Sequence, residues 1–261
     1  MRKRFVSKFL IAVTACALLL TLTALGYILK QYREESVLYD QLEKIAFKDV
    51  APGVTGSTGA TGATGESEKQ GIDHAALSAL NADYAAWIRV EGTKISYPVV
   101  RSDTPQYYLR RDFYGSRSVG GTVFVDSANG RDFTDTNTML FGHHMRDGSM
   151  FSPLKKFLNR DFFNANRFVW IDTPGRTLTY EIFAVYETGA SLVPYSPGNL
   201  TDEQLTPLLD RINALAKHKR ETEVNLKSRI LTLSTCGYSV RNARIIVHAV
   251  LLTDTAAIPG S

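Results

Sequence analysis

Residues 9–29, FLIAVTACALLLTLTALGYIL, contain no charged side chain, and this run constrains the chain more than any other feature. About 20 consecutive apolar residues are what an α-helix needs to cross the hydrocarbon core of a bilayer, so the stretch predicts a transmembrane helix. Arg2, Lys3, Arg4 and Lys8 precede it with no acidic residue among them. The positive-inside rule then keeps residues 1–8 in the cytoplasm and sends everything after Lys30 across the membrane. The same four cations account for the net charge of +4. The rest of the chain is neutral, which removes charge as an argument for a nucleic-acid partner. A cleaved signal peptide is a poorer fit, because its apolar core normally runs only about 7–15 residues. Lipoprotein processing at Val13-Thr-Ala-Cys16 conflicts with the apolar run that continues past Cys16.

This topology separates the two cysteines. Cys16 falls within the anchor, whereas Cys236 is alone in a domain exported to a compartment where disulfides normally form. A lone exported thiol implies an intermolecular partner or a reactive group. Between anchor and domain, residues 30–70 divide in two. The first part, 31–50, is charged with scattered apolar positions and reads as a helical stalk. Gly53, Gly56, Gly59, Gly62 and Gly65 then recur at the collagen period. So few triplets, with no proline among them, predict a flexible spacer rather than a triple helix.

Residues 71–254 read as one globular domain, with 255–261 as a tail. Asp73 can cap a helix that carries Leu77, Leu80 and Tyr84 along one face. Strands are predicted at 94–100, 121–125, 137–142, 168–172, 177–187, 228–236 and 244–253. Helices are predicted near 152–157 and at 201–219, the second opened by a Thr201/Gln204 capping box and striped with leucine. Seven or eight strands with few helices define a mostly β fold, a closed or nearly closed barrel.

Within 230–236, alternation puts Leu231, Leu233 and Thr235 on one face and Thr232, Ser234 and Cys236 on the other. If 228–236 and 244–253 pair as a hairpin, Cys236 and Arg244 become neighbours at a strand spacing of about 4.8 Å. A guanidinium beside a thiol favours the nucleophilic thiolate. It can also stabilise the oxyanion formed when sulfur attacks a carbonyl. Taken alone, the pair is better explained by a buried cysteine filling a strand end, with Arg244 in a surface ion pair. A base would decide between these, and the segment 137–142 supplies a candidate: it breaks at Gly142 and delivers His143 and His144 into a loop. Histidine titrates near neutrality and can protonate a leaving amine, then deprotonate an incoming one. One cysteine and an adjacent His pair do not match zinc-ligand spacings, so neither metal nor cofactor is expected. His74 and His218 read as helix residues among solvated neighbours, and His248 as a structural strand residue.

The TLSTC run at 232–236, with Arg244 eight positions on, resembles the active-site signature of the sortases, the cysteine transpeptidases of Gram-positive cell surfaces. Further segments resemble the class B branch: NADYAAWI at 81–88, ISYPVV at 95–100, YYL at 107–109, GGTVFVD at 120–126, FGHHM at 141–145, GSMF at 148–151 and YEIF at 180–183. The resemblance spans residues 72–252. It implies a sortase β-barrel with an N-terminal helical extension, matched to 72–88, and one long inserted helix, matched to 201–219. It implies a Cys236-His143-Arg244 site in which Cys236 attacks the carbonyl of a threonine in a C-terminal sorting motif. His143 would be the acid and base, with His144 second, and Arg244 would orient substrate and stabilise the oxyanion. Ser234 and Thr235 are the candidate substrate contacts. The loop 187–200 and the helix after it would help select the motif. The implied partners are surface proteins bearing that motif and an amine of peptidoglycan or a pilin. Two alternatives stand beside this: an exported cysteine endopeptidase, and a non-catalytic surface scaffold.

Overall fold

The computed structural model describes residues 2–47, 71–236 and 243–256. The glycine triplets, and the turn that follows Cys236, lie outside the described residues. The chain divides into two compact units after Asp40. The first is most of a continuous helix, Arg2–Ala46 (α1), which runs well beyond the apolar stretch. It is long and apolar enough to cross a membrane. Leu18, Leu19, Leu20, Leu22 and Leu25 on it are exposed, as expected of side chains that a bilayer would solvate.

In the second unit, β-branched and aromatic alternation produces strands Tyr84–Val90 (β1), Ser96–Val100 (β2), Val123–Val125 (β3), Asn137–Gly142 (β4), Phe168–Thr173 (β5), Arg176–Gly189 (β6), His218–Lys219 (β7), Ile230–Cys236 (β8) and Ala243–Ala256 (β9). Their order is β5-β1-β2-β3-β4-β8-β9-β6-β7, and β5 also bonds to β6. Eight strands therefore close into a barrel, with the two-residue β7 added outside the ring. Closure removes the exposed edges that an open sheet would present. Most neighbours are antiparallel; β2/β3 and β4/β8 are parallel. Leu140, Leu233, Val247 and Val185 sit side by side across β4, β8, β9 and β6 and are fully buried.

The opposite face of these strands lies under the helix Asp202–Leu215, which is α4 in chain order after His74–Leu80 (α2) and Arg160–Ala165 (α3). Leu205, Leu208 and Ile212 of α4 pack on Phe183, Ala184, Ile230 and Val250. The Gln204 side chain accepts from the Thr201 N–H at 3.0 Å, as the capping motif requires. The helix is shorter than the predicted 201–219. Residues 218–219 instead pair with Ala184 and Val185 of β6, so His218 is a buried strand residue and not a solvated helical one. Its Nε2–H donates to the Leu158 carbonyl at 2.9 Å.

The predicted helix from Asp73 through Tyr84 is likewise cut short. Asp73 caps it, accepting from the Ala76 N–H at 2.8 Å, but α2 ends at Leu80. The Asn81 side chain then bonds the Phe113 carbonyl at 2.6 Å and the Asp83 N–H at 2.8 Å, turning the chain into β1. Tertiary bonds override the apolar spacing there. The end of α1 also belongs with the barrel. Leu42 and Ala46 are fully buried, the Phe47 ring stands edge-on to Trp87 at 5.6 Å, and the Asp73 N–H donates to the Ala46 carbonyl at 2.9 Å. A domain boundary drawn at residue 71 from composition omits this turn.

Candidate active site

The parallel pairing of β4 with β8 is the decisive piece of topology. It sets Phe141 beside Ser234 and Gly142 beside Thr235, so both strands finish at the same end of the barrel. There β8 delivers Cys236 and β4 delivers His143. The antiparallel partner β9 begins at that same end, and its Arg244 lies directly opposite Cys236. Cys236, Arg244 and the sequence-distant His143 thus meet at the ends of three adjacent strands. Arg244 is half-buried, and its Nη1 donates to the Ala243 carbonyl at 3.0 Å.

The histidine loop is held closely. Glycine is required at 142 because a Cβ there would lie 2.7 Å from the Phe151 ring, and Phe151 is fully buried. The Phe151 N–H donates to the His143 carbonyl at 2.9 Å, and the Met150 N–H donates to the Tyr97 hydroxyl at 3.1 Å. His143 Nε2–H donates to the Leu109 carbonyl at 2.6 Å, so in the neutral ring Nδ1 carries the basic lone pair. Leu109 is itself placed by Gly121, whose φ of +60° brings the backbone so close that a Cβ would meet the Leu109 oxygen at 2.6 Å. His144 is 7% exposed and pairs with Met150 as an isolated bridge, whereas His143 is half-buried. The Leu109 contact was invisible in the sequence, because a backbone carbonyl leaves no residue-type signal.

Ser234 and Thr235 are 1% and 2% exposed. Among the described residues, Ser234 Oγ and Thr235 Oγ1 have no hydrogen-bond partner. A buried hydroxyl left unpaired costs about 1–3 kcal/mol, and such groups in native proteins call for an explanation. Beside them runs an aromatic row. Phe124 stacks on Phe141 at 5.5 Å, and Tyr195 lies 6.0 Å from Phe141. Tyr195 belongs to the segment 190–199 that connects β6 to α4. This segment starts beside β9, where Thr188 opposes Arg244, and ends on β4, where Asn137 and Gly198 exchange two backbone hydrogen bonds of 3.1 and 3.0 Å. It therefore arches over the Ser234 position. Val193 within it packs on Tyr186 and Ile246. The structure places the other histidines apart: His74 bonds the Tyr84 hydroxyl at 2.9 Å, and His218 and His248 are buried elsewhere on the sheet. Among the described residues, no group of three or more His, Cys, Asp or Glu could hold a metal ion.

A family model described as the sortase domain matches residues 88–252, and the chain belongs to the sortase family of cysteine transpeptidases. Its relatives place it in the class B branch. Sortase B of Listeria monocytogenes is 31% identical over 179 residues, 68% of this chain and 73% of that protein. The crystal structure of Clostridium perfringens sortase B superposes with a TM-score of 0.65 at 38% identity, covering 68% of this chain and 98% of that one. A B. anthracis sortase B structure gives 0.70 at 31% identity, over 86% and 99%.

Proposed function

We propose that the chain is a membrane-anchored transpeptidase that cleaves a sorting motif after threonine and joins the acyl fragment to a cell-wall or pilin amine. The observation that carries this is the register: Cys236 opposite Arg244, with His143 leaving the strand that runs parallel beside them. In this reading the Cys236 thiolate attacks the threonine carbonyl, and Arg244 stabilises the tetrahedral oxyanion. His143 gives a proton to the departing amine as the C–N bond breaks, leaving a thioester. The acceptor amine then loses a proton to His143 and attacks the thioester, releasing Cys236. His143 is assigned in preference to His144 because His144 is enclosed while His143 is half-open, its Nε2 anchored on Leu109. Ser234, on the Cys236 face of β8, supplies a hydroxyl unpaired among the described residues for the bound peptide, whereas Thr235, on the Leu233 face, lines the barrel interior.

In the same reading residues 9–29 are the anchor, residues 1–8 lie in the cytoplasm, and the catalytic domain lies outside the cell. The apolar helix and the basic cluster before it support that orientation. The test is product analysis on the full chain in detergent, with a panel of threonine-containing peptides, with and without an amine. A Cys236-dependent thioester that partitions to the amine adduct is expected. Hydrolysis that no amine diverts would make the enzyme an endopeptidase instead, and turnover persisting in Cys236→Ala would overturn the site.

A further inference from the structure

One buried polar chain is used by none of the steps above. It crosses four adjacent strands beneath the 190–199 arch. On β6 the Tyr186 hydroxyl is 3.1 Å from His248 Nε2 of β9. His248 Nδ1 is 2.9 Å from Thr232 Oγ1 of β8, and Thr232 Oγ1 donates to Asn137 Oδ1 of β4 at 2.8 Å. Asn137 Nδ2 then donates to the Ser196 carbonyl of the arch at 2.7 Å. Each of the four side-chain bearers is no more than 1% exposed.

The chain has one consistent direction. Thr232 has a single hydroxyl proton, which goes to Asn137, so Thr232 must accept from His248 Nδ1–H. That leaves Nε2 as the acceptor for the Tyr186 O–H. Burial pushes His248 down to about 3, so the neutral ring this polarity requires persists across the physiological range. The outcome falls on Asn137. An amide can turn over and exchange its oxygen and nitrogen, but a hydroxyl donating to Oδ1 fixes Nδ2 towards Ser196. The same residue already holds Gly198 through its backbone. The arch that starts from β6 is therefore tied down on β4 by a relay that begins on β6.

We infer that Tyr186, His248, Thr232 and Asn137 are positioning residues that set the arch, and with it Tyr195, over the Ser234 side of the candidate active site. This rests on the transpeptidase reading for its kinetic consequence, since a misplaced arch weakens peptide binding while the sulfur chemistry continues. A mispositioned wall removes binding shared by ground and transition states, which raises KM and leaves kcat.

The most incisive variant is Thr232→Val, which keeps the shape, loses the hydroxyl and touches neither the arch nor the strand ends. In the full chain in detergent, the peptide cleaved fastest by wild type from the threonine panel should show KM raised about tenfold with kcat within about twofold. Thr232→Ser should restore KM. Asn137→Ala should resemble Thr232→Val, and the double variant should be no worse than either alone, because both break one linkage. A second readout needs no substrate: chymotryptic cleavage after Tyr195 should accelerate about tenfold in Thr232→Val, since cleavage follows the opened population. Unchanged KM and unchanged cleavage, or a loss confined to kcat, would overturn the relay. Failure of the wild type to form a thioester with any peptide would instead sink the transpeptidase reading, and the cleavage assay would still judge the arch.

Discussion

Thr232 and Ser234 stand two residues apart on the same face of β8, and they are treated in opposite ways. Thr232 is buried with two partners, Asn137 and His248. Ser234 is equally buried and its hydroxyl has none among the described residues. Both are small, polar and enclosed, so neither composition nor exposure separates them. What separates them is the neighbouring row. Opposite Thr232 lie Met139 and His248, a polar partner among them; opposite Ser234 lie Phe141 and Ile246, which meet Tyr195 and Val193 of the arch. The strand changes from scaffold to site within one pleat. A scaffold hydroxyl must be satisfied by the protein, whereas a site hydroxyl can be left for a ligand.

The largest test of that division lies at its far end. Cys236→Ala should reduce turnover at least about a thousandfold, and Arg244→Ala about a hundred- to a thousandfold if it is the oxyanion donor; both follow from initial rates with peptide and amine. Loss with Arg244→Ala restored by Arg244→Lys would mean that charge alone suffices, without the guanidinium geometry. Next, His143→Ala should abolish turnover, whereas His144→Ala should leave measurable activity. The reverse result would move the acid-base role one residue along the loop.

Smaller effects address Thr232 and Ser234 directly. Thr232→Val strands the Asn137 Oδ1 and His248 Nδ1–H and should destabilise the domain by about 1–3 kcal/mol. Ser234→Ala removes a buried orphan whose burial costs about 1–3 kcal/mol and should leave the domain as stable or more stable, while raising KM. Denaturant unfolding and peptide kinetics on the same two variants read both arms. If Ser234→Ala proved the more destabilising, Ser234 would belong to the scaffold.

A pH titration gives the finest distinction. His248 binds a proton near 6.5 when unfolded but only near about 3 when folded, because burial disfavours the cation. Its folded value is depressed, so the stabilisation is present above about 6.5 and declines as pH falls towards about 3. The unfolded state holds the extra proton throughout that window, giving a slope of up to about 1.4 kcal/mol per pH unit. The difference between wild type and His248→Gln, measured from pH 7 to 4, isolates this contribution from the carboxylates. A flat difference would show that His248 binds its proton equally in the folded and unfolded chain, so that burial does not depress it.

Much of the candidate site's layout was legible because its signals are local. A strand ending in Cys236, a short connection and a second strand opening at Arg244 require the two to be neighbours if the strands pair. Gly142 marked a break because a tightly packed strand end tolerates no Cβ. The failures were also local in kind. Tyr84 continued an apolar spacing that suits a helix, and 218–219 followed a leucine stripe, yet both became strand. In each case hydrogen bonds from distant segments, from Asn81 to Phe113 and from β7 to β6, outweighed a weak local preference.

The sequence by itself determined the apolar run long enough for a bilayer, the neutral remainder, the alternation that makes strands, and a thiol, a guanidinium and an imidazole at strand ends. Period and composition carry such information, because they act through neighbours in the chain. Only the tertiary structure decided that β4 lies parallel to β8, which brings His143 to the Cys236 end and not to the opposite one. It alone distinguished satisfied Thr232 from unsatisfied Ser234, and joined His248 to Asn137. Those outcomes depend on which strands become neighbours when the barrel closes, and strand order is set by long-range burial that no local window contains.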